Sequence, residues 1–80
     1  MFSAVLDSIL KARERNASWL ARKIDAAPSS VLRWVAGQTM PEPRTLASIR
    51  EALAADGVPS SDLDALNAAY LGLDMVSDAP

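Results

Sequence analysis

Proline and glycine cut this chain into short pieces. Pro28, Pro41, Pro43 and Pro59 cannot lie inside a helix, and Gly37, Gly57 and Gly72 favour a stop or a weak last turn. Between the breaks, apolar residues recur at helical spacing. Phe2, Val5, Leu6, Ile9 and Leu10 predict a first helix over 3–15, with Ser3 as its N-cap. Asn16 is a good N-cap for a short second helix, 17–24. There Ala17, Leu20, Ala21 and Ile24 share a face, while Ser18, Trp19 and Arg22 look outward. Asp25-Ala26-Ala27 is a three-residue break. Pro28 suits the first position of a third helix, 28–36, with Val31, Trp34 and Val35 inward and Gly37 as its left-handed stop. Pro43 opens a fourth helix with Leu46, Ile49 and Leu53 buried, ending near Asp56-Gly57. Ser61 and Asp64 read as a variant capping box for a fifth helix, 62–72, with Leu63, Leu66, Ala69, Tyr70 and Leu73 at helical spacing.

Composition agrees with helices and narrows the chemistry. The chain has 80 residues, of which 15 are alanine and only 4 are aromatic, which disfavours a β-sandwich and favours a compact helical bundle. One domain over 1–73, with a short acidic tail at 74–80, is expected at this length. With no cysteine and no histidine, the chain lacks disulfides, thiolate nucleophiles, the usual zinc ligands and the usual neutral-pH base. No metal site and no cofactor are expected. No nucleotide-binding or nucleophile-elbow glycine motif occurs. Nor does any apolar stretch approach the ~20 residues that span a bilayer. A cytoplasmic, non-enzymatic domain is the expectation, and Asp62 and Asp64 read as helix N-terminal charges rather than as a catalytic pair.

Charge is distributed unevenly. All eight basic residues lie in 1–50 with four acids, a balance of +4, while 51–80 holds six acids and no base, −6. Such asymmetry suits either a polyanion-facing surface with an acidic flank or solvated helix faces that differ by chance.

Two short helices joined by a three-residue turn are the helix-turn-helix arrangement. The run from Leu20-Ala21 through Ile24, Val31, Arg33-Trp34 and Gly37, followed by Pro41 and Thr45-Leu46, resembles the lambda-repressor/Cro-like (XRE) family without a gap. The match covers about residues 5–70. It implies an all-α, five-helix lambda-repressor-like bundle with a helix-turn-helix. It also implies that Ala27, Pro28, Ser29, Ser30, Leu32 and Arg33 face the major groove of double-stranded DNA. Ser29, Ser30 and Arg33 would be the readers, Arg33 being able to grip guanine O6 and N7. Asn16 and the backbone of Ala17 would hold a phosphate, with Gln38, Thr39 and Arg44 flanking others. Leu32 could meet a thymine methyl, or form a protein-contact patch with Ala36 and Trp19.

The chain departs from the family's pattern in places. Ala17 stands where the family often has a phosphate-clamping glutamine, and Ala36 and Gln38 to Met40 carry no charge. Leu10 and Val35 replace a common arginine–glutamate pair by an apolar contact, a swap that can be neutral or stabilising. Fewer phosphate contacts are therefore expected. The resemblance implies a small repressor that binds an operator as a homodimer. The apolar residues Leu63, Tyr70, Leu71, Leu73 and Met75, in the most acidic part of the chain, are the expected interface, unless Leu63, Leu66 and Tyr70 only cap the core and the free chain is a monomer. The alternative is a protein-interaction module on the same fold, such as the antitoxin partner of a toxin.

Overall fold

A computed structural model describes residues 2–72 of the chain. These residues form five helices in order: α1 Phe2–Ala12, α2 Ala17–Ile24, α3 Pro28–Val35, α4 Pro43–Ala55 and α5 Ser60–Tyr70. No strand occurs among the described residues. The all-helical expectation and the five-element count hold. α1 packs on α3 and α5, α2 packs on α3 and α4, and α4 packs on α5.

Every helix sends at least one fully buried aliphatic side chain into one cluster: Leu6 from α1, Leu20 from α2, Val31 from α3, Ile49 and Leu53 from α4, and Leu66 from α5. Trp34 joins them, only 7 % exposed, as the largest side chain of the cluster. Leu10 is buried and Val35 packs against the same cluster, so both serve apolar packing. The buried set among the described residues contains no polar or charged side chain. The core cluster is therefore apolar throughout and buries no charged side chain whole.

Helix ends differ from the sequence expectation at α1 and α5. α1 begins at Phe2, so Ser3 lies inside the first turn and is not the N-cap. It ends at Ala12 rather than at residue 15 because Glu14 turns left-handed, at φ 55°. The same closure recurs along the chain. The N–H of Arg15 donates to Leu10 O (2.8 Å), that of Ala26 to Ala21 O (2.9 Å), that of Gln38 to Arg33 O (2.9 Å) and that of Val58 to Leu53 O (3.0 Å). The residue before each donor is left-handed: Glu14, Asp25, Gly37 and Gly57. This is the Schellman closure, which satisfies carbonyls that a helix end leaves open. Gly37 is also close to α1, since a Cβ there would lie 3.2 Å from Ser3 Oγ. α5 runs Ser60–Tyr70, not 62–72, with Pro59 as its N-cap and no side-chain cap. Ser61 is thus already helical, and the Ser61–Asp64 capping box does not form. Asn16 does cap α2, its Oδ1 accepting from the N–H of Trp19 at 2.8 Å.

One polar latch joins the ends of α1 and α4. Arg15 donates to both carboxylate oxygens of Asp56, Nε to Oδ2 at 3.1 Å and Nη2 to Oδ1 at 2.7 Å. Arg13 donates from Nε to Oδ2 at 2.9 Å and from Nη2 to the Asp56 carbonyl. Asp56 sits at the C-cap of α4, where the helix dipole disfavours an anion, and the two guanidiniums reverse that. Hydrogen bonds from Arg15 and then Arg13 hold its carboxyl down at about 2.

Trp34→Ala should cost ~3–5 kcal/mol, the range for truncating a buried aromatic. In a domain whose total stability is ~5 kcal/mol, that leaves little folded protein. Circular dichroism melting checks this, and an unchanged midpoint would remove Trp34 from the core. Asp56 makes a second prediction. Its folded pKa is lower than its unfolded value, so its contribution is complete above pH ~4 and is lost as pH falls through about 2. The melting midpoint should drop across that window, and Asp56→Asn should flatten that part of the profile. A wild-type pH profile in the variant would show that the latch does not contribute.

Candidate nucleic-acid interface

α3 is the element the sequence singles out, and packing decides which of its sides is available. Val31 and Trp34 anchor its inner face. Pro28, Ser29, Leu32 and Arg33 are exposed, together with the flanking Ala27 and Ala36. Ser30 is half-buried, so its side chain is less available than that of Ser29. Leu32 is 56 % exposed, which is unusual for a leucine in the middle of a helix. Arg33 has no carboxylate within ion-pair reach among the described residues, and the same holds for Arg22, Lys23 and Arg44.

The start of α3 is a poor anion site. Pro28 has no N–H, and the N–H groups of Ser30 and Val31 already donate to Ala27 O at 3.0 and 3.4 Å. The start of α2 is better suited. The Asn16 carboxamide takes the N–H of Trp19 and its carbonyl takes that of Leu20, while the N–H groups of Ala17 and Ser18 have no intrahelical acceptor. Asn16 is exposed and Ala17 half-buried, so what Ala17 offers an anion is its backbone.

The loop after α3 is fixed at one point. Tyr70 Oη donates to Pro41 O at 2.6 Å, and the Tyr70 ring meets Phe2 edge-on with centroids 5.6 Å apart. Pro41 is buried, while Gln38, Thr39 and Met40 are exposed, Met40 at 52 %. Arg44 is exposed in the first turn of α4, next to Glu42, whose carboxylate opposes an anion there.

Tyr70 engages both its hydroxyl and its ring within the chain, as a residue that caps the core would. Leu63 is half-buried against the core, Leu71 is 59 % exposed, and Leu73 and Met75 lie outside the described residues.

A feature the sequence reading passed over lies along α2. Trp19 is half-buried against the core instead of facing outward. The Arg15 guanidinium stands 4.9 Å from its ring centroid and Lys23 Nζ 6.0 Å away. Residues 15, 19 and 23 recur at intervals of four, and that spacing is the signal from which the stacked trio could have been read. The Asp56 latch had no such signal, because its partners are 41 and 43 positions apart.

Among the described residues no cluster of metal-ligating side chains occurs, and no helix is long and apolar enough to cross a membrane. Comparison with family models, with curated proteins and with solved structures finds no match to this chain.

Proposed function

We propose that the chain is a sequence-specific double-stranded DNA-binding transcriptional regulator of helix-turn-helix type, a small repressor that occludes its operator. One observation carries this reading: a short helix, α3, is anchored by Val31 and Trp34 and turns an unpaired Arg33 to solvent beside Ser29. A helix held in this way can enter a major groove ~12 Å wide and bring side chains to base edges. Arg33 would grip guanine, Ser29 would bond a neighbouring base, and Leu32 would lie against a thymine methyl. The open N–H groups of Ala17 and Ser18, with Arg44 on α4, would hold phosphates. A homodimer would place two α3 helices ~34 Å apart on a palindromic site. Binding rather than bond-making is the whole activity on this reading.

A second reading has its own support. Leu32 and Met40 are large, apolar and more than half exposed. A protein-interaction module, an antitoxin included, would use that surface for a partner chain and would bind DNA weakly or not at all.

Binding to a selected site and to a scrambled site, measured at several salt concentrations, separates the two. Arg33→Ala should cost ~1–3 kcal/mol on the selected site and flatten discrimination at one base position. Arg44→Ala should weaken both sites alike and reduce the salt slope by about one per phosphate contact. If neither substitution changes either affinity, DNA reading is wrong and the interaction module replaces it.

A further inference from the structure

Two of the eight basic side chains converge on one carboxylate just ahead of α2. Arg15 grips both oxygens of Asp56, while Arg13 takes Oδ2 and the Asp56 carbonyl. Gly57 leaves room for Arg13, since a Cβ there would lie 3.1 Å from its Nη2. The Asp56 side chain is 13 % exposed, and those of Arg13 and Arg15 are 35 % and 39 % exposed. The guanidiniums therefore cover the carboxylate and themselves face water. Two guanidinium forks around one oxyanion are the arrangement that grips a phosphate, and here they keep a net charge of +1. Arg15 is also positioned from a second side. It precedes Asn16, the N-cap of α2, and its guanidinium lies 4.9 Å from the ring centroid of Trp19 in the first turn of that helix. The Trp19 ring holds the cation near this turn whether or not Asp56 binds it.

We propose that Arg13 and Arg15 form a phosphate site for the duplex backbone, and that Asp56 fills this site as an internal stand-in when no duplex is bound. The assignment rests on the DNA-binding part of the proposed function and adds to it a contact and a restraint on that contact. A backbone phosphate offers a guanidinium fork two oxygens, as Asp56 does, so the exchange replaces one bidentate acceptor by another. Protonation does not release the arginines near neutral pH, because their hydrogen bonds hold the Asp56 carboxyl down at about 2. Only a competing anion or the loss of Asp56 frees them. Phosphate contacts strengthen binding to every sequence alike, whereas base contacts discriminate. Asp56 therefore restrains overall affinity and leaves the reading by Arg33 unchanged. In the wild-type chain each phosphate contact made here must first break hydrogen bonds to Asp56. The salt dependence of binding is then shallower than eight basic residues suggest.

Binding of the full chain to a random-sequence duplex, measured at several salt concentrations, tests the site. Asp56→Ala should raise affinity at low salt about tenfold and steepen the salt slope by about one to two, as one or two new phosphate contacts would. Glu51→Gln is the control. Glu51 is exposed on α4 and pairs with neither arginine, so its loss should leave the slope unchanged. Replacing both arginines, Arg13→Gln/Arg15→Gln, should leave the wild-type slope unchanged and remove the added slope in the Asp56→Ala background. Circular dichroism establishes that each variant is folded. Should Asp56→Ala unfold, Asp56→Asn keeps the side-chain shape, removes the charge and should shift the slope in the same direction. An Asp56 variant with the wild-type slope overturns the site. Arginine substitutions that lower the slope equally with and without Asp56 show that it withholds nothing, and overturn the exchange. DNA reading is judged separately, by Arg33→Ala on the selected site. Discrimination that depends on Arg33, beside an unchanged slope in Asp56→Ala, rejects this site alone. No duplex binding by either the wild type or Asp56→Ala overturns both.

Discussion

α2 and α3 are eight residues each, well below the ~12–15 residues at which an isolated helix begins to hold in water. Their existence depends on burial: Leu20 and Ala21 from one, and Val31 and Trp34 from the other, in a cluster that all five helices share. The small-residue content of the chain makes this a strict requirement. With fifteen alanines in eighty residues, few large side chains are available, and Trp34 supplies the greatest volume. The same packing sets what α3 can show to a partner. Committing Val31 and Trp34 inward leaves Ser29, Leu32 and Arg33 outward with little freedom to rotate the helix about its axis.

Two polar contacts then fix what the thin core does not. Asp56, with Arg13 and Arg15, ties the exit of α1 to the exit of α4. Tyr70 ties the loop after α3 to α5. Both contacts lie at the rim of the core, where water competes, so each orients segments more than it stabilises the whole. The Asp56 latch also orders Arg15 against the Trp19 ring, which extends its influence onto α2.

Much of this architecture is legible in the sequence, for physical reasons. Pro28 and Pro43 at helix starts, Gly37 and Gly57 past helix ends, and Asn16 as a cap are local signals, and all five act as read. The buried stripes of α1, α3 and α4 follow from period alone. The errors arise where a local signal had a competitor. Ser61 followed by Asp64 looks like a capping box, but Pro59 already sets the chain direction and the helix begins two residues earlier, at Ser60. Glu14 is left-handed without being glycine, a state that a glutamate does not announce, whereas Asp25 is of a type that adopts it more readily. For Asp56, partnering is a property of the packed chain, invisible to any window of neighbouring residues. Of the candidate interface, the outward residues of α3 are legible, while the engagement of Tyr70 and the stacking at Trp19 are not.

Charge placement bears on how such a domain would meet a polyanion. The +4 of residues 1–50 overstates what is available. Asp56 crosses from the acidic segment to take up Arg13 and Arg15 together, leaving that cluster with one unbalanced charge held over Trp19. Lys11 is paired with Asp7 at 3.0 Å. The cations without an ion-pair partner among the described residues are then Arg22, Lys23, Arg33, Arg44 and Arg50, of which Arg50 lies on the α4–α5 face. Of the remaining four, three come from α2 and α3, and the fourth opens α4. Asp62 and Asp64 stand on α5. Arg22, Lys23 and Arg33 stand exposed on α2 and α3, with Asp25 between them, and Arg44 stands beside Glu42. On the proposed reading, this asymmetry orients the protomer before any base is read.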